Sequence, residues 1–259
     1  KVNGLDFDDV LSPEEIRKIH DLSGENNQVV RTLEDSEGNW TYLRMFNDLN
    51  PYPSEQEISV ALLRMKDGAV KMGSLYGHGE REMNKSGDRE IGWLFTNGSG
   101  RGSLINQGFD AFELSIKEHE IPEDVNILVI ADMRTPLSPE EMEKLKHYIE
   151  RGGNLFILGE PNRQEAMNPI LGEFGVKLMP GTLVQQNPDY LPSIITAQLT
   201  DQAAAQSLSY AQLKGWGGTI VMPDASPLQY ETNKGYSIKP IAVTRPRGSW
   251  NELETTDFL

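Results

Sequence analysis

The 259-residue chain contains no cysteine. That absence excludes disulfides, thiolate metal centres and cysteine nucleophiles together, and leaves the redox compartment open. Basic residues are scarce: 24 Lys and Arg stand against 39 Asp and Glu, a formal net charge of −15. A surface of this sign repels phosphate backbones and anionic headgroups, so neither nucleic acid nor a lipid surface is an expected partner. No apolar run approaches the ~18–20 residues of a membrane span, and no signal peptide opens the chain. The chain begins at Lys1 rather than Met, and Asp257-Phe258-Leu259 close a long irregular stretch. It is therefore read as a piece of a longer protein, whose membrane segments, if any, lie elsewhere.

Known catalytic signatures are also missing. G-x-S-x-G does not occur, and Ser74 falls inside a strand pattern rather than a nucleophile elbow. The four histidines, His20, His78, His119 and His147, include no i, i+4 pair. Gly98-Ser99-Gly100-Arg101-Gly102-Ser103 lacks the lysine of a phosphate-binding loop and the last glycine of the dinucleotide pattern, so it is read as a flexible loop. Three triplets match the glycosylation acceptor, Asn39-Trp40-Thr41, Asn84-Lys85-Ser86 and Asn97-Gly98-Ser99, and none is assigned a role. No cofactor and no resident metal are expected.

What is present points to an α/β fold. A chain of this length buries about 70–75% of its unfolded surface, and 24 Gly with 15 Pro suggest many loops. The most informative stretch is 124–163: an apolar run into Asp132, a helix opened by Ser138-Pro139-Glu140-Glu141, the turn Gly152-Gly153, and a second apolar run into Glu160. Strand, capped helix and parallel strand are the unit of open α/β sheets. Met142, Leu145, Tyr148 and Ile149 share one face of that helix. Before it, Ser12 and Ser54 each open a capping box, with Glu15 and Glu57. The runs 28–34 and 40–46 suggest a hairpin, and Pro51-Tyr52-Pro53 breaks the chain. Ile58, Ala61, Leu62 and Met65 mark a helix ending near Gly68. Residues 70–76, 111–116 and 125–131 read as strands, 103–107 and 164–174 as helices, and 176–178 as the start of a further strand. Beyond Pro180 the pattern weakens, with a helix over 203–213 and strands over 219–222 and 238–243.

The fold class expected is α/β: an open, mainly parallel twisted sheet with helices on both faces, preceded by an N-terminal hairpin and helix. The division expected is 1–67 for the N-terminal helix, hairpin and helix, and 68–259 for the α/β domain with an irregular C-terminal tail. The strands over 70–76, 125–131 and 154–158 are expected to be parallel neighbours. Their polar ends would then share the carboxyl edge, where such sheets bind ligands. That gathers His78, Glu80, Arg81, Asp132, Arg134, Glu160, Asn162 and Arg163 as candidate ligand- or partner-binding residues. Capping and internal acid–arginine pairing are the structural reading of the same groups. His78, Glu80, Asp132 and Glu160 offer one imidazole and three carboxylates, but nothing in their spacing enforces a metal site.

Residues from about 54 to 183 carry a series of marks in order. They are Glu55-Gln56-Glu57-Ile58, Gly77-His78-Gly79-Glu80, Leu104-Ile105-Asn106-Gln107-Gly108-Phe109-Asp110 and Ile121-Pro122-Glu123-Asp124. Leu128-Val129-Ile130-Ala131-Asp132, Tyr148-Ile149-Glu150-Arg151-Gly152-Gly153-Asn154-Leu155 and Gly159-Glu160-Pro161 follow. In these the chain resembles the extracytoplasmic domain of the auxiliary component of uncharacterised ABC-type transport systems, the group associated with gliding motility. The resemblance implies a flavodoxin-like or glutamine-amidotransferase-like sheet without the catalytic cysteine. It implies tethering at the periplasmic face of the inner membrane by transmembrane helices outside this chain, with an ABC permease and ATPase as partners. It carries no catalytic residue. The function expected is a non-enzymatic binding or assembly module, with an envelope ligand as a further partner. The competing reading is a hydrolase of envelope glycan or peptide that uses the strand-end carboxylates.

Overall fold

The computed structural model describes every residue except 1–3, 5, 26–28, 47, 49, 51, 86, 233–234 and 255–259, and the side chain of Phe7. Gln28, Pro51, Ser86, Lys1 and the closing residues 257–259, on which some of the readings above fall, lie outside the described residues. The chain divides into two compact units: residues 1–71 with 92–111, and residues 72–91 with 112–259.

The first unit begins with α1 (Pro13–Ile19), whose capping box is formed: Ser12 Oγ accepts the Glu15 amide at 3.3 Å, and Glu15 Oε2 accepts the Ser12 amide at 2.8 Å. Strands β1 (Val30–Glu34) and β2 (Trp40–Arg44) make the expected antiparallel hairpin, with Glu34 opposite Trp40. The Asp35 carboxylate closes its turn by accepting the amides of Glu37 and Asn39 at 2.8 and 2.9 Å. Helix α2 (Glu55–Asp67) is capped by Ser54 and Glu57 and stops at Gly68, where φ is +79°. A short α3 (Gly92–Phe95) and a 3-10 turn (Leu104–Gln107) complete the unit. The Gly98–Ser103 stretch is organised by side chains. Arg101 binds Asp48 through Nε at 2.6 Å, reaches Glu57, and donates to the Asn50 carbonyl at 2.6 Å. Asn106 Nδ2 donates to the Gly100 carbonyl at 2.8 Å. Arg101 is thus a structural bracket.

Four strands form the principal sheet in the order β4-β3-β5-β6: β3 (Val70–Leu75), β4 (Phe109–Leu114), β5 (Ile127–Ala131) and β6 (Asn154–Leu158). β3, β5 and β6 are parallel, with Ser74 opposite Val129 and Val129 opposite Phe156. β4 runs the same way, since the amides of Val70 and Tyr76 donate at constant offset to the carbonyls of Gly108 and Leu114, each at 3.0 Å. Compared with the sequence reading, β4 starts two residues earlier and β5 two residues later.

Helix α4 (Pro139–Glu150) joins β5 to β6, and α5 (Gln164–Gly172) follows β6. Both pack on one face of the sheet. Leu75, Leu128 and Ile130 from the strands meet Leu145 and Tyr148 of α4 and Met167 and Ile170 of α5, all essentially without exposure. α4 ends on the anticipated glycines: Gly152 takes φ +88°, and Gly153 leaves room for the Tyr148 ring, whose hydroxyl donates to the Asn154 carbonyl at 3.0 Å. α5 stops at Gly172 rather than 174. Its last turn tightens, with the Glu173 and Phe174 amides on the carbonyls three residues back.

The C-terminal third departs from the expected pattern, because every further sheet is antiparallel. β7 (Val176–Leu178) pairs with β11 (Leu228–Tyr230), and β8 (Thr182–Gln185) pairs with β13 (Ser249–Glu252). β9 (Ile194–Leu199) lies between β10 (Thr219–Pro223) and β12 (Ala242–Val243). Three corrections follow. The helix expected over 203–213 is two, α6 (Asp201–Ala204) and α7 (Leu208–Gly215), because Thr200 and Ser207 each cap a new start. The strand expected over 238–243 is only the two residues of β12. The tail read as irregular contains β13, which escaped notice because its residues are polar or exposed and its partner lies more than sixty positions earlier.

Candidate functional site at the carboxyl edge of the parallel sheet

Parallel strands deliver their exits to one edge, and here those exits carry the polar groups. β3 runs out through Gly77 and Gly79, with φ of +119° and +77°, conformations a side chain disfavours. These two turns direct His78 inward. A Cβ on Gly79 would lie 3.1 Å from Cβ of Arg134, so glycine also permits the close approach to the exit of β5. The two exits are stitched together: the His78 carbonyl accepts the amides of Arg134 and Thr135 at 2.9 and 3.0 Å, and the Arg81 amide donates to the Ala131 carbonyl at 2.8 Å.

His78 is buried between two buried carboxylates. Its Nδ1 lies 3.3 Å from Glu80 Oε1, and its Nε2 lies 3.1 Å from Glu141 Oε1. Glu80, with no exposed surface, also accepts the His78 amide on Oε2 at 2.6 Å. Nδ1 and both Oε1 atoms make no hydrogen bond of acceptable geometry, so these contacts are close approaches rather than directed bonds. Glu141 serves twice, since its Oε2 accepts the Ser138 amide at 2.8 Å in the α4 capping box. Burial pushes the Glu141 carboxyl up, but the Ser138 hydrogen bonds and the His78 charge outweigh it and hold the group below its ordinary value.

Asp132 sits at φ +50°, a left-handed conformation that Asp adopts more readily than most residues. Its carboxylate is fully buried and held by two arginines: Arg163 Nε donates to Oδ1 at 2.7 Å, and Arg89 binds Oδ2. Arg89 also donates to the carbonyls of Gly79 and Asp132 at 2.6 and 3.1 Å, tying the β3 exit to the β5 exit a second time. Beyond β6, Arg81 Nε donates to Glu160 Oε1 at 2.8 Å.

The geometry therefore brings His78, Glu80, Arg81, Asp132, Glu160 and Arg163 into contacts at one edge. Arg134 and Asn162 stand apart from the pairing. Both are exposed, Asn162 at φ +64°, and the Arg134 side chain makes no ion pair among the described residues. Outward the edge presents the Arg134 guanidinium, the Asn162 amide and the partly exposed Glu160 carboxylate. No group of three or more His, Asp or Glu that could hold a metal occurs among the described residues.

Sequence reasoning missed two members of these clusters. Glu141 gave a clear signal, but it was the signal of a capping box, and that role is real. Arg89 lies in a polar, glycine-rich stretch where no periodicity sets a register, and its 3-10 turn (Gly87–Arg89) had no pattern to reveal it.

No curated protein matches the chain significantly. Among solved structures it is similar to one titled mmIFT52 N-terminal domain, at 18% identity over 63% of this chain and 69% of that one, with a TM-score of 0.44. Residues 71–257, which carry all of the strand-end groups just described, match the family described as ABC-type uncharacterized transport system, auxiliary in character, and the chain belongs to that family.

Proposed function

We propose that the chain is a non-enzymatic binding or assembly module of its ABC-type transport system, and that it docks through the carboxyl edge of the parallel sheet. Family membership supports the transport context. The observation that carries the docking role is the internal pairing at the edge. Glu80 is spent on His78, Asp132 on Arg89 and Arg163, and Glu160 on Arg81, while Arg134 and Asn162 face outward. A hydrolase of envelope glycan or peptide needs two carboxylates free to face a substrate. Here the burial of Glu80 and the pairing of Glu160 favour recognition over turnover.

In this reading the partners are the permease and ATPase of the system, with an envelope ligand as a further occupant of the edge. The chain works at the extracytoplasmic, periplasmic face of the inner membrane, tethered by transmembrane helices outside it, in a gliding-motility-like complex. No helix among the described residues is long and apolar enough to cross a membrane. The parallel order of β3, β5 and β6, with α4 as the crossover from β5 to β6, supports a flavodoxin-like or amidotransferase-like open sheet.

The test is co-purification of the chain with the permease of its own system, comparing wild type with Arg134→Glu and Asn162→Ala. Capture should fall at least about tenfold for Arg134→Glu, or about 1.4 kcal/mol, with unchanged circular dichroism. Equal capture by both variants would remove the edge from the docking role. Turnover of an envelope glycan or peptide that disappears in Glu160→Gln would make the hydrolase reading the correct one.

A further inference from the structure

The histidine between two carboxylates remains unexplained by a docking role. An imidazole carries N–H groups on both nitrogens only in its charged form, and here both nitrogens face carboxylate oxygens, at 3.3 Å for Glu80 and 3.1 Å for Glu141. All three side chains are buried, with exposures of 7% or less. With the imidazole charged, the cluster is one cation between two anions. With it neutral, two carboxylates share a buried space and no cation lies between them. Each carboxylate then keeps one backbone amide, from His78 and from Ser138, but no cation lies between the two buried anions, and the arrangement is disfavoured.

We propose that residues 77–80 form a proton-operated latch, shut against the N-terminus of α4 while His78 is charged and released when it loses its proton.

Among the described residues, no other charged side chain around the cluster forms an ion pair with Glu80 or Glu141. On its own loop, Glu80 is one of the two anions. From α4, Glu141 is the other, and one turn on, Lys144 Nζ donates to the carbonyls of Ile116 and Lys117 at 3.0 and 3.1 Å, with Glu140 at 3.5 Å. From the connection after β4, the end of the Lys117 side chain lies beside Gly77. From the exit of β5, Arg134 meets the loop through its backbone and the carbon stem beside Gly79, and Asp132 is occupied by Arg163 and Arg89. Arg89 touches the loop only at the Gly79 carbonyl.

The latch has hinges and a load. Gly77 and Gly79, both at positive φ, flank His78 and can change conformation without a side-chain penalty. The His78 carbonyl holds the amides of Arg134 and Thr135 and the Thr135 hydroxyl, so opening the turn frees the exit of β5. The device stands on this geometry whether or not the edge binds a partner.

Two measurements on the intact chain test it, across roughly pH 5 to 8, the range in which histidine switches. Ring-nitrogen NMR shifts report the protonation of His78 directly. Amide hydrogen exchange, corrected for its intrinsic pH dependence, reports the latch through the Arg134 and Thr135 amides. The expected result is a charged His78 at the acidic end and at least about tenfold less protection of those two amides once it is neutral. His78→Gln should abolish that pH dependence. Glu141→Gln, which removes one anion, should move the drop to lower pH. A His78 ring already neutral at the acidic end, or protection that does not change as the ring titrates, overturns the proposal. Because the wild-type titration decides, a variant that fails to fold leaves the test intact. Loss of permease capture with a normal titration would count against the docking role and not against the latch.

Discussion

Nε of Arg163 lies 2.7 Å from Oδ1 of Asp132, a carboxylate with no exposed surface on a residue at φ +50°. Arg89 holds the other oxygen. Removing the anion strands two guanidinium groups in a partly buried space. Asp132→Asn keeps a residue that tolerates the left-handed backbone, so the loss reports charge. We expect a destabilisation of about 3–5 kcal/mol, measured by urea unfolding. A loss below about 1 kcal/mol would show that the two ion pairs contribute little to stability.

Gly152 and Gly153 test different constraints at adjacent positions. A Cβ on Gly152 meets nothing within 4 Å but must adopt φ +88°, whereas a Cβ on Gly153 would fall 2.4 Å from the Tyr148 ring. Gly152→Ala should cost about 1–2 kcal/mol through backbone strain alone. Gly153→Ala should cost about 1–3 kcal/mol, the usual range for overpacking, and it alone should displace Tyr148. Near-ultraviolet circular dichroism of the tyrosine separates the two, and an unchanged spectrum for Gly153→Ala would contradict the packing described.

Leu145 joins α4 to the sheet without any exposed surface. Leu145→Ala should lose about 3–5 kcal/mol of unfolding free energy, as removal of a buried leucine with incomplete collapse of the cavity does. The thermal midpoint checks it, and a shift no larger than that of an exposed control such as Leu208→Ala would place the core elsewhere.

Glu141 gives a pH dependence with a definite sign. Its pKa is depressed in the folded chain, so its contribution is present above the unfolded carboxylate value of about 4.3 and is lost as pH falls through the lower folded value. Glu141→Gln should therefore be less stable than wild type near neutrality, and the difference should shrink as pH drops below about 4. Urea midpoints at several pH values measure this. A difference that stays constant down to acid would mean that Glu141 acts through packing and not through charge.

Much of the fold was legible because local chemistry and tertiary structure agree. The capping serines Ser12, Ser54 and Ser138 announce their helices by side-chain hydrogen bonds that need no distant partner. Likewise β5 is a continuous apolar run, the mark of a strand buried in a parallel sheet, and β6, at the sheet edge, is apolar after Asn154. The antiparallel pairs of the C-terminal third were not legible. β11 is three exposed residues and β13 four mostly polar ones, so each exists through its ladder to a distant strand and has no periodicity of its own. The strand-end residues followed the same division. His78, Asp132 and Glu160 were visible as polar endings to apolar runs. Their partners Glu141 and Arg89 were not, because pairing is decided by which loops meet.

The first compact unit is discontinuous: it takes residues 1–71 and then 92–111, with 72–91 belonging to the second. Arg101, on the returning segment, supplies the contacts to Asp48 and Glu57 on the leading one. Gene fusion and exon-like shuffling move contiguous stretches of code, so this unit cannot be transferred or lost in a single cut. A lineage that dispensed with it would need two coordinated deletions, the second inside the run that builds the parallel sheet. A single break in the chain therefore cannot separate the two units, because the second begins before the first is complete.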